Sequence, residues 1–331
     1  MRFLFIIFLT LQSFAAISQE IFSYERKIDT LKLYNHQEYK FLNDADKINL
    51  SGTLIAPRTE YSKVAIIIPG SGKDTRYSHF ILAEKLLEAG VAVFRFDERG
   101  AGKSEGKYSE LASDLSMDLK YCYDGLLHEL PDKKIGFIGH SLGGMAALQA
   151  VKNLCDPNFL VLIETPIIKN GSFILNQIEM DYDNALPEVI RKGKSKAEIL
   201  TFLKSYFATI SNNPLEKRTY FKQYIKNKNF NSKFIALMDD MFLMEMLRIS
   251  QEDILKGYSG PTLYVSGTKN KVINHLQEIE LVASFKSPNI VIKTYEGLNH
   301  WLTDRNAVVG SSLYQMDEEP LREIIMWILK N

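Results

Sequence analysis

The chain has 331 residues, of which 46% are hydrophobic and 24% are charged, and this composition excludes a disordered, collagen-like or polytopic membrane protein. Forty Lys and Arg residues balance forty Asp and Glu residues, so no basic surplus is available to bind nucleic-acid phosphates or an anionic membrane. The length is sufficient for one large domain, or for a domain with a sizeable insertion, around an extensive core.

The first 18 residues have the pattern of a secretory signal peptide. Arg2 supplies a positive charge, an apolar run covers residues 3–16, and Ala16 and Ser18 place small residues at the two positions that signal peptidase reads. The apolar run is shorter than the ~20 residues that span a bilayer, which argues against a membrane anchor. We predict cleavage after Ser18 and export of the mature chain to the periplasm or the medium, without stable membrane insertion.

The sequence that follows predicts a β-hairpin and then strands that alternate with helices. Apolar and polar residues alternate through 37–42 and 47–55, which is typical of a half-buried hairpin. Further strands are predicted at 64–68, 91–96, 134–138 and 159–163, and helices at 80–89, 111–130 and 142–152. Strands that are apolar on both faces and joined by helices indicate an α/β protein with a parallel sheet between two helix layers.

The strand pattern stops between residues 166 and 257, where the chain reads as helices rich in Lys, Met and aromatic residues. It resumes with strands at 261–266 and 289–295 and helices at 275–285 and 318–329. An insertion between two strands of one sheet is expected to cover their C-terminal ends, where such sheets bind ligands; a helical embellishment with no role in binding is the alternative. We predict a core of 19–165 and 258–331 and a helical cap of 166–257.

The most informative motif is a G-x-S-x-G sequence at residues 139–143, between a predicted strand and a predicted helix. A serine at such a junction lies on a tight turn, where the glycines relieve crowding and the hydroxyl projects from the sheet edge. The N–H of Leu142 would then face the oxygen of a substrate carbonyl. We predict that Ser141 is a nucleophile, that Leu142 donates to an oxyanion, and that His140 packs in the turn.

A nucleophilic serine needs a general base, and His300 is the candidate among six histidines. It follows the last predicted strand, so it emerges at the same sheet edge as Ser141, whereas His36 precedes the sheet and the remaining histidines lie in or near helices. The small residues of the segment 69–74 let the main chain approach a substrate, and we predict that Ser71 supplies the second oxyanion N–H.

No cofactor or metal motif is present. The Gly-Lys pairs that end at Lys73 and Lys103 lack the first glycine of a Walker A loop, since Ile67 and Asp97 occupy that position. Two cysteines cannot form a disulfide framework, and Cys122 and Cys155 have no zinc-binding spacing. We expect both cysteines to be core residues and the chemistry to need no cofactor.

Four ordered motifs resemble the α/β-hydrolase superfamily, in particular its exported bacterial esterases with a helical cap. They are residues 69–72 (PGSG), 96–106 (FDERGAGKSEG), 139–144 (GHSLGG) and 297–300 (GLNH). The resemblance runs from about Lys47 to the C-terminus, except for the cap. It implies an eight-stranded, mostly parallel sheet, acyl transfer to Ser141 followed by hydrolysis, and a structural role for the turn at 97–106.

The sequence departs from that family at the third member of the catalytic triad. The family usually places a carboxylate three residues after a glycine that follows the strand at 263–266, but counting from Gly267 gives Asn270. An amide has no charge to stabilise an imidazolium. Glu164, directly after the strand at 159–163, is our predicted acid; Asp304, or a weak or inactive site with Asn270 alone, are the alternatives.

The sequence therefore predicts a serine hydrolase that acts on small-molecule carboxylic esters. Peptidase, thioesterase and acyltransferase chemistry use the same groups and remain open. A non-catalytic ligand-binding protein that keeps the hydrolase shell is a hypothesis of a different class, and Asn270 is the residue that motivates it.

Overall fold

A central eight-stranded sheet dominates the computed structural model, which describes residues 31–210, 214–303 and 315–331. The predicted signal peptide and the candidate acid Asp304 lie outside these residues. The strands are β1 (Tyr34–Asn43), β2 (Ile48–Pro57), β3 (Lys63–Ile68), β4 (Ala92–Phe96), β5 (Lys134–His140), β6 (Leu160–Ile163), β7 (Thr262–Gly267) and β8 (Ile290–Tyr295). Their spatial order is β1-β2-β4-β3-β5-β6-β7-β8.

The predicted hairpin and the predicted parallel sheet are both present. Strands β1 and β2 pair antiparallel, and β2 pairs antiparallel with β4. All pairings among β3 to β8 are parallel. The α/β fold with an eight-stranded, mostly parallel sheet is therefore confirmed.

Helices follow the strands along the chain. They are α1 (Phe80–Glu88), α2 (Ala112–Glu129), α3 (Leu142–Lys152), α4 (Ser172–Met180), α5 (Tyr182–Ala185), α6 (Glu188–Arg191), α7 (Lys196–Ile210), α8 (Pro214–Asn227), a 3₁₀ helix (Ser232–Asp239), α9 (Met241–Met246), α10 (Gln251–Gly257), α11 (His275–Ser284) and α12 (Glu318–Lys330). Within the described ranges, none of these helices is long and apolar enough to cross a membrane.

Each face of the sheet has its own hydrophobic core, because alternate residues of a strand point to opposite faces. Val64 and Ile66 of β3 pack in a cluster with Leu119 of α2, whereas Ile67 packs in a second cluster with Leu86 of α1 and Ile324 of α12. Strands that are apolar on both faces therefore bury both faces. Cys122 and Cys155 are buried and unpaired, as expected for core residues.

The helices between β6 and β7 form a third core of their own. Phe202 of α7 is its centre, and its ring lies within 6.1 Å of five other aromatic rings, measured between centroids. This cluster accounts for much of the aromatic content of the segment. The assignment of 166–257 as a separate cap domain stays a prediction.

Two carboxylates fasten this helical segment to the rest of the protein. The fully buried Glu278 of α11 accepts the N–H groups of Ile167 and Ile168 at 2.9 and 3.1 Å. Glu245 of α9 accepts the N–H groups of Ala112 and Ser113 at 2.8 and 2.9 Å. These last two donors belong to the first turn of α2, where N–H groups have no partner within the helix.

We expect Glu278→Gln to flatten the pH dependence of stability. Burial raises the pKa of Glu278 from 4.5 to about 7, so the folded protein binds more protons than the unfolded chain between these values and loses stability as pH rises through them. A glutamine keeps an oxygen for the N–H groups of Ile167 and Ile168 but cannot ionise. Between pH 5 and pH 8, the unfolding free energy of the wild type should fall by up to about 3 kcal/mol more than that of the variant.

Urea unfolding at the two pH values measures this difference. Glu280→Gln is the matched control, because Glu280 is an exposed carboxylate of the same helix. Parallel stability curves for the wild type and Glu278→Gln would show that burial does not perturb this group.

Candidate active site

Ser141 occupies the single position between the end of β5 and the start of α3. Its backbone has φ 53° and ψ −116°, a region that residues other than glycine rarely adopt and that is often held under strain at functional sites. The N–H of Ser141 donates to the carbonyl of Ile163 in β6 at 2.8 Å. The predicted strand-to-helix turn is therefore present, and Ser141 lies at the C-terminal edge of the parallel sheet.

Glycines make this turn possible because the backbones of β5 and α3 touch. A Cβ on Gly139 would lie 2.5 Å from both the nitrogen and the Cα of Gly144. A Cβ on Gly143 would overlap the carbonyl oxygens of Ile68 and Pro69. Side chains at these positions would push the helix away from the sheet and relax the turn.

The segment after β3 approaches the turn closely. A Cβ on Gly70 would lie 3.2 Å from Nδ1 of His140 and 3.5 Å from Cβ of Ser141. Ser71, the predicted oxyanion donor, follows Gly70 and has an exposed side chain. Leu142, the other predicted donor, begins α3, and N–H groups at a helix start are free to bind an anion.

Buried acids hold this segment in place. The N–H of Asp74 donates to Glu98 at 2.8 Å, and the Arg76 guanidinium pairs with Asp97 at 2.7 Å. Asp97 also accepts the N–H of Lys103. The turn at 97–106 is thus a structural support for the loop after β3, as the family resemblance implied.

His300 lies on the loop that follows β8 and is buried. Its backbone carbonyl accepts a hydrogen bond from Nε2 of His140 at 2.8 Å, and the two rings are 5.1 Å apart. Burial lowers the pKa of His140 to about 4, so His140 is a neutral donor. His140 therefore does more than pack in the turn, because it ties the loop of the candidate base to the residue next to the candidate nucleophile.

Asn270 contacts the imidazole of His300. Its amide nitrogen, Nδ2, lies 3.0 Å from Nδ1 of His300 and donates to Oε2 of Glu164 at 2.7 Å. Its amide oxygen, Oδ1, accepts the N–H groups of Val272 and Ile273 at 2.7 and 3.0 Å. The position that the family fills with a carboxylate is thus the one that meets the base.

Glu164, the predicted acid, is fully buried at the end of β6. It accepts from the hydroxyl of Ser266 at 2.8 Å, from the N–H of Gly267 and from Asn270. Burial raises the pKa of Glu164 to about 8. The carboxylate reaches His300 through the amide of Asn270, and its role as the triad acid stays a prediction.

Helical residues between β6 and β7 cover this edge of the sheet. Leu142 and Met145 of α3 form a hydrophobic cluster with Phe173 of α4 and Met246 of α9, and Phe242 packs against it. The turn at Ser141 therefore lies beside an apolar surface that two separate segments of the chain build.

A parallel sheet with a serine on a sharp turn after one strand, a histidine on the loop after the last strand and helices over the same edge defines an α/β-hydrolase. The chain belongs to the Hydrolase_4 family (serine aminopeptidase, S33), whose model matches residues 59–304. Within the described part of the chain, no group of three or more His, Cys, Asp or Glu side chains could hold a metal.

Two curated proteins resemble the sequence. It is 23% identical to the monoglyceride lipase of Mus musculus over 300 residues, which are 88% of this chain and 91% of the lipase. It is 31% identical to the lysophosphatidylserine lipase ABHD12 of Danio rerio over 107 residues, which are 31% of this chain but only 28% of that lipase.

Solved structures of other proteins share the fold of this chain. The Pyrococcus furiosus esterase Pf2001 matches with a TM-score of 0.57 and 19% identity over 90% of each chain. Est1E from Butyrivibrio proteoclasticus, solved with bound ferulic acid, matches with a TM-score of 0.52 and 19% identity over 88% of this chain and 100% of its own. These similarities support the hydrolase architecture.

We expect Gly139→Ala to destabilise the protein and to reduce any Ser141-dependent activity. The new Cβ meets the backbone of Gly144, which cannot rotate away, so the unfolding free energy should fall by about 3 kcal/mol. Gly257→Ala is the matched control, because a Cβ there meets no atom within 4 Å. Urea unfolding of both variants measures the effect, and equal stabilities would contradict the tight contact between β5 and α3.

Proposed function

We propose that the protein hydrolyses small-molecule carboxylic esters, with Ser141 as nucleophile and His300 as general base. The observation that carries the proposal is the backbone of Ser141 at φ 53°, between β5 and the first N–H of α3. That geometry projects a hydroxyl from the sheet edge and directs the helix start toward the same space.

The reaction follows from these positions. The hydroxyl oxygen of Ser141 attacks the ester carbonyl while its proton passes to Nε2 of His300. The N–H groups of Leu142 and Ser71 stabilise the oxyanion. His300 then protonates the departing alcohol, and water, activated by the same imidazole, releases the acid from Ser141.

An ester substrate is favoured over a peptide by two features. The curated relatives are named as lipases and the Pyrococcus furiosus structure as an esterase, although the family description names an aminopeptidase. The apolar cluster around Leu142, Phe173 and Met246 suits an acyl or alkyl chain. The signal-peptide pattern of residues 1–18 supports export, so we place the reaction in the periplasm or the medium. N-terminal sequencing of the secreted protein would test this.

A ligand-binding protein without turnover is the second candidate. The observation that favours it is the uncharged Asn270, which faces His300 with its amide nitrogen rather than with an acceptor. Reaction of Ser141 with a fluorophosphonate probe separates the candidates, because covalent labelling requires an activated serine.

We expect Ser141→Ala to abolish ester hydrolysis and probe labelling, while the fold is retained. His300→Ala should lower kcat to the same background, and the double variant should be scarcely worse than either single one, because the two groups act as a unit. His128→Ala is the control, since the side chain of His128 is 88% exposed. Near-normal hydrolysis of p-nitrophenyl acetate by Ser141→Ala would reject the assignment.

We expect Phe242→Ala to change the preference for acyl-chain length. Phe242 is half-buried against the cluster that contains Leu142, so its loss enlarges the apolar surface beside the nucleophile. The ratio of kcat/KM for p-nitrophenyl octanoate to that for the acetate should shift about tenfold or more. Met241→Ala on the same helix is the control, since Met241 is 69% exposed. An unchanged ratio would place the acyl chain elsewhere.

A further inference from the structure

The hydrogen bonds around Asn270 have a direction, and this direction determines where the proton of His300 resides. We infer that Asn270 is a positioning residue that holds His300 as the Nε2–H tautomer, so that the resting site has the opposite hydrogen-bond polarity to a working serine triad. The inference rests on the proposed function for its consequence in turnover, but not for the tautomer itself.

The orientation of the Asn270 amide is fixed by the backbone. Oδ1 accepts two N–H groups, from Val272 at 2.7 Å and from Ile273 at 3.0 Å. A rotated amide would turn its NH₂ group toward these two donors. Both hydrogen bonds would be lost, and the buried N–H of Ile273 would have no acceptor. The oxygen therefore faces the backbone, and the nitrogen faces the site.

Both hydrogens of Nδ2 then have acceptors. One points to Oε2 of Glu164 at 2.7 Å and the other to Nδ1 of His300 at 3.0 Å. An amide nitrogen donates and does not accept, so Nδ1 of His300 must present its lone pair. Burial, with a smaller contribution from His140, holds the pKa of His300 well below its usual range. The imidazole is therefore neutral, and its one proton lies on Nε2.

In this resting tautomer, Nε2 of His300 cannot accept a proton. A base that accepts the proton of Ser141 needs a lone pair on Nε2, and here Nε2 already carries a hydrogen. The imidazolium that forms in the reaction would also direct an Nδ1–H against the N–H of Asn270. Turnover therefore requires the hydrogen bond between Asn270 and His300 to break and the imidazole proton to leave Nε2. Only then can Nε2 accept the proton of Ser141.

An aspartate at position 270 would reverse the polarity without a change of shape. One carboxylate oxygen would still accept from Val272 and Ile273, and the other would accept the Nδ1–H of His300. Glu164 could remain beside it, because burial raises the pKa of Glu164 to about 8 and its protonated form donates a hydrogen bond. The site is therefore already built to hold such a pair.

The direct test is the ¹⁵N spectrum of the His300 side chain in the full-length protein, assigned by its loss in His300→Ala. The expected result is unprotonated Nδ1 and protonated Nε2 in the wild type, with the reverse in Asn270→Asp. Protonated Nδ1 in the wild type would overturn the inference, whether or not the protein hydrolyses esters.

The kinetic test uses p-nitrophenyl acetate. Asn270→Asp should raise kcat by about a hundredfold or more, toward the ~10⁴-fold difference that this exchange makes in a serine protease, with KM within about threefold. Asn274→Asp is the control, because Asn274 caps α11 with an oxygen that aspartate retains. An equal or lower kcat in Asn270→Asp, in a protein whose wild type is active, would also overturn the inference.

Glu164→Gln separates this inference from the prediction that Glu164 acts as the acid. If Glu164 only accepts from Asn270, the exchange should change kcat by less than about tenfold. If Glu164 is instead the acid of the triad, the exchange should lower kcat by about two to four orders of magnitude. If the tautomer reverses in Asn270→Asp and no variant hydrolyses any ester, the inference stands and the proposed function falls.

Discussion

The contact between the end of β5 and the start of α3 is the constraint on which the site depends. Without a Cβ at Gly139 and Gly143, the helix rests directly on the sheet backbone, and the one residue between the two elements is forced to φ 53°. Two neighbouring loops are positioned against this turn. The loop after β3 touches it through Gly70, and the loop after β8 is tied to it through the hydrogen bond from His140.

Carboxylates that accept backbone N–H groups also hold the loops in place; Glu98, Glu164 and Glu278 are buried and Glu245 is half-buried. Glu98, Glu164, Glu245 and Glu278 each accept main-chain N–H groups of a segment distant in sequence, such as the 133-residue separation between Glu245 and Ala112. A side chain that bonds to a backbone fixes where a loop lies without dictating its sequence. The loops around Ser141 can therefore be irregular and still be held firmly enough to position reacting groups.

The strands could be predicted because their apolar runs are long enough to show burial on both faces. The turn at Ser141 and the position of His300 followed from the glycines and from the order of strand and loop. The hydrogen bond from His140 to His300 joins residues 160 positions apart, and nothing in either local sequence signals it. The apolar residues of the helical segment were also ambiguous: Phe173 and Met246 pack beside Leu142, whereas Phe202 and Phe207 fill a separate core.

Counting from Gly267 located Asn270, but its chemical effect depends on the backbone of the residues after it. A carboxylate accepts at both oxygens, so two N–H groups at one oxygen leave the other free to accept from a histidine. An amide accepts at one end and donates at the other, so the same two N–H groups leave only the donor for His300. The loop conformation is compatible with Asn or Asp at position 270. The difference between an oxygen and an NH₂ group reverses the direction of the hydrogen bond to His300. Under the proposed function, the choice between an esterase and a binding shell therefore depends on one atom, the amide nitrogen that meets His300.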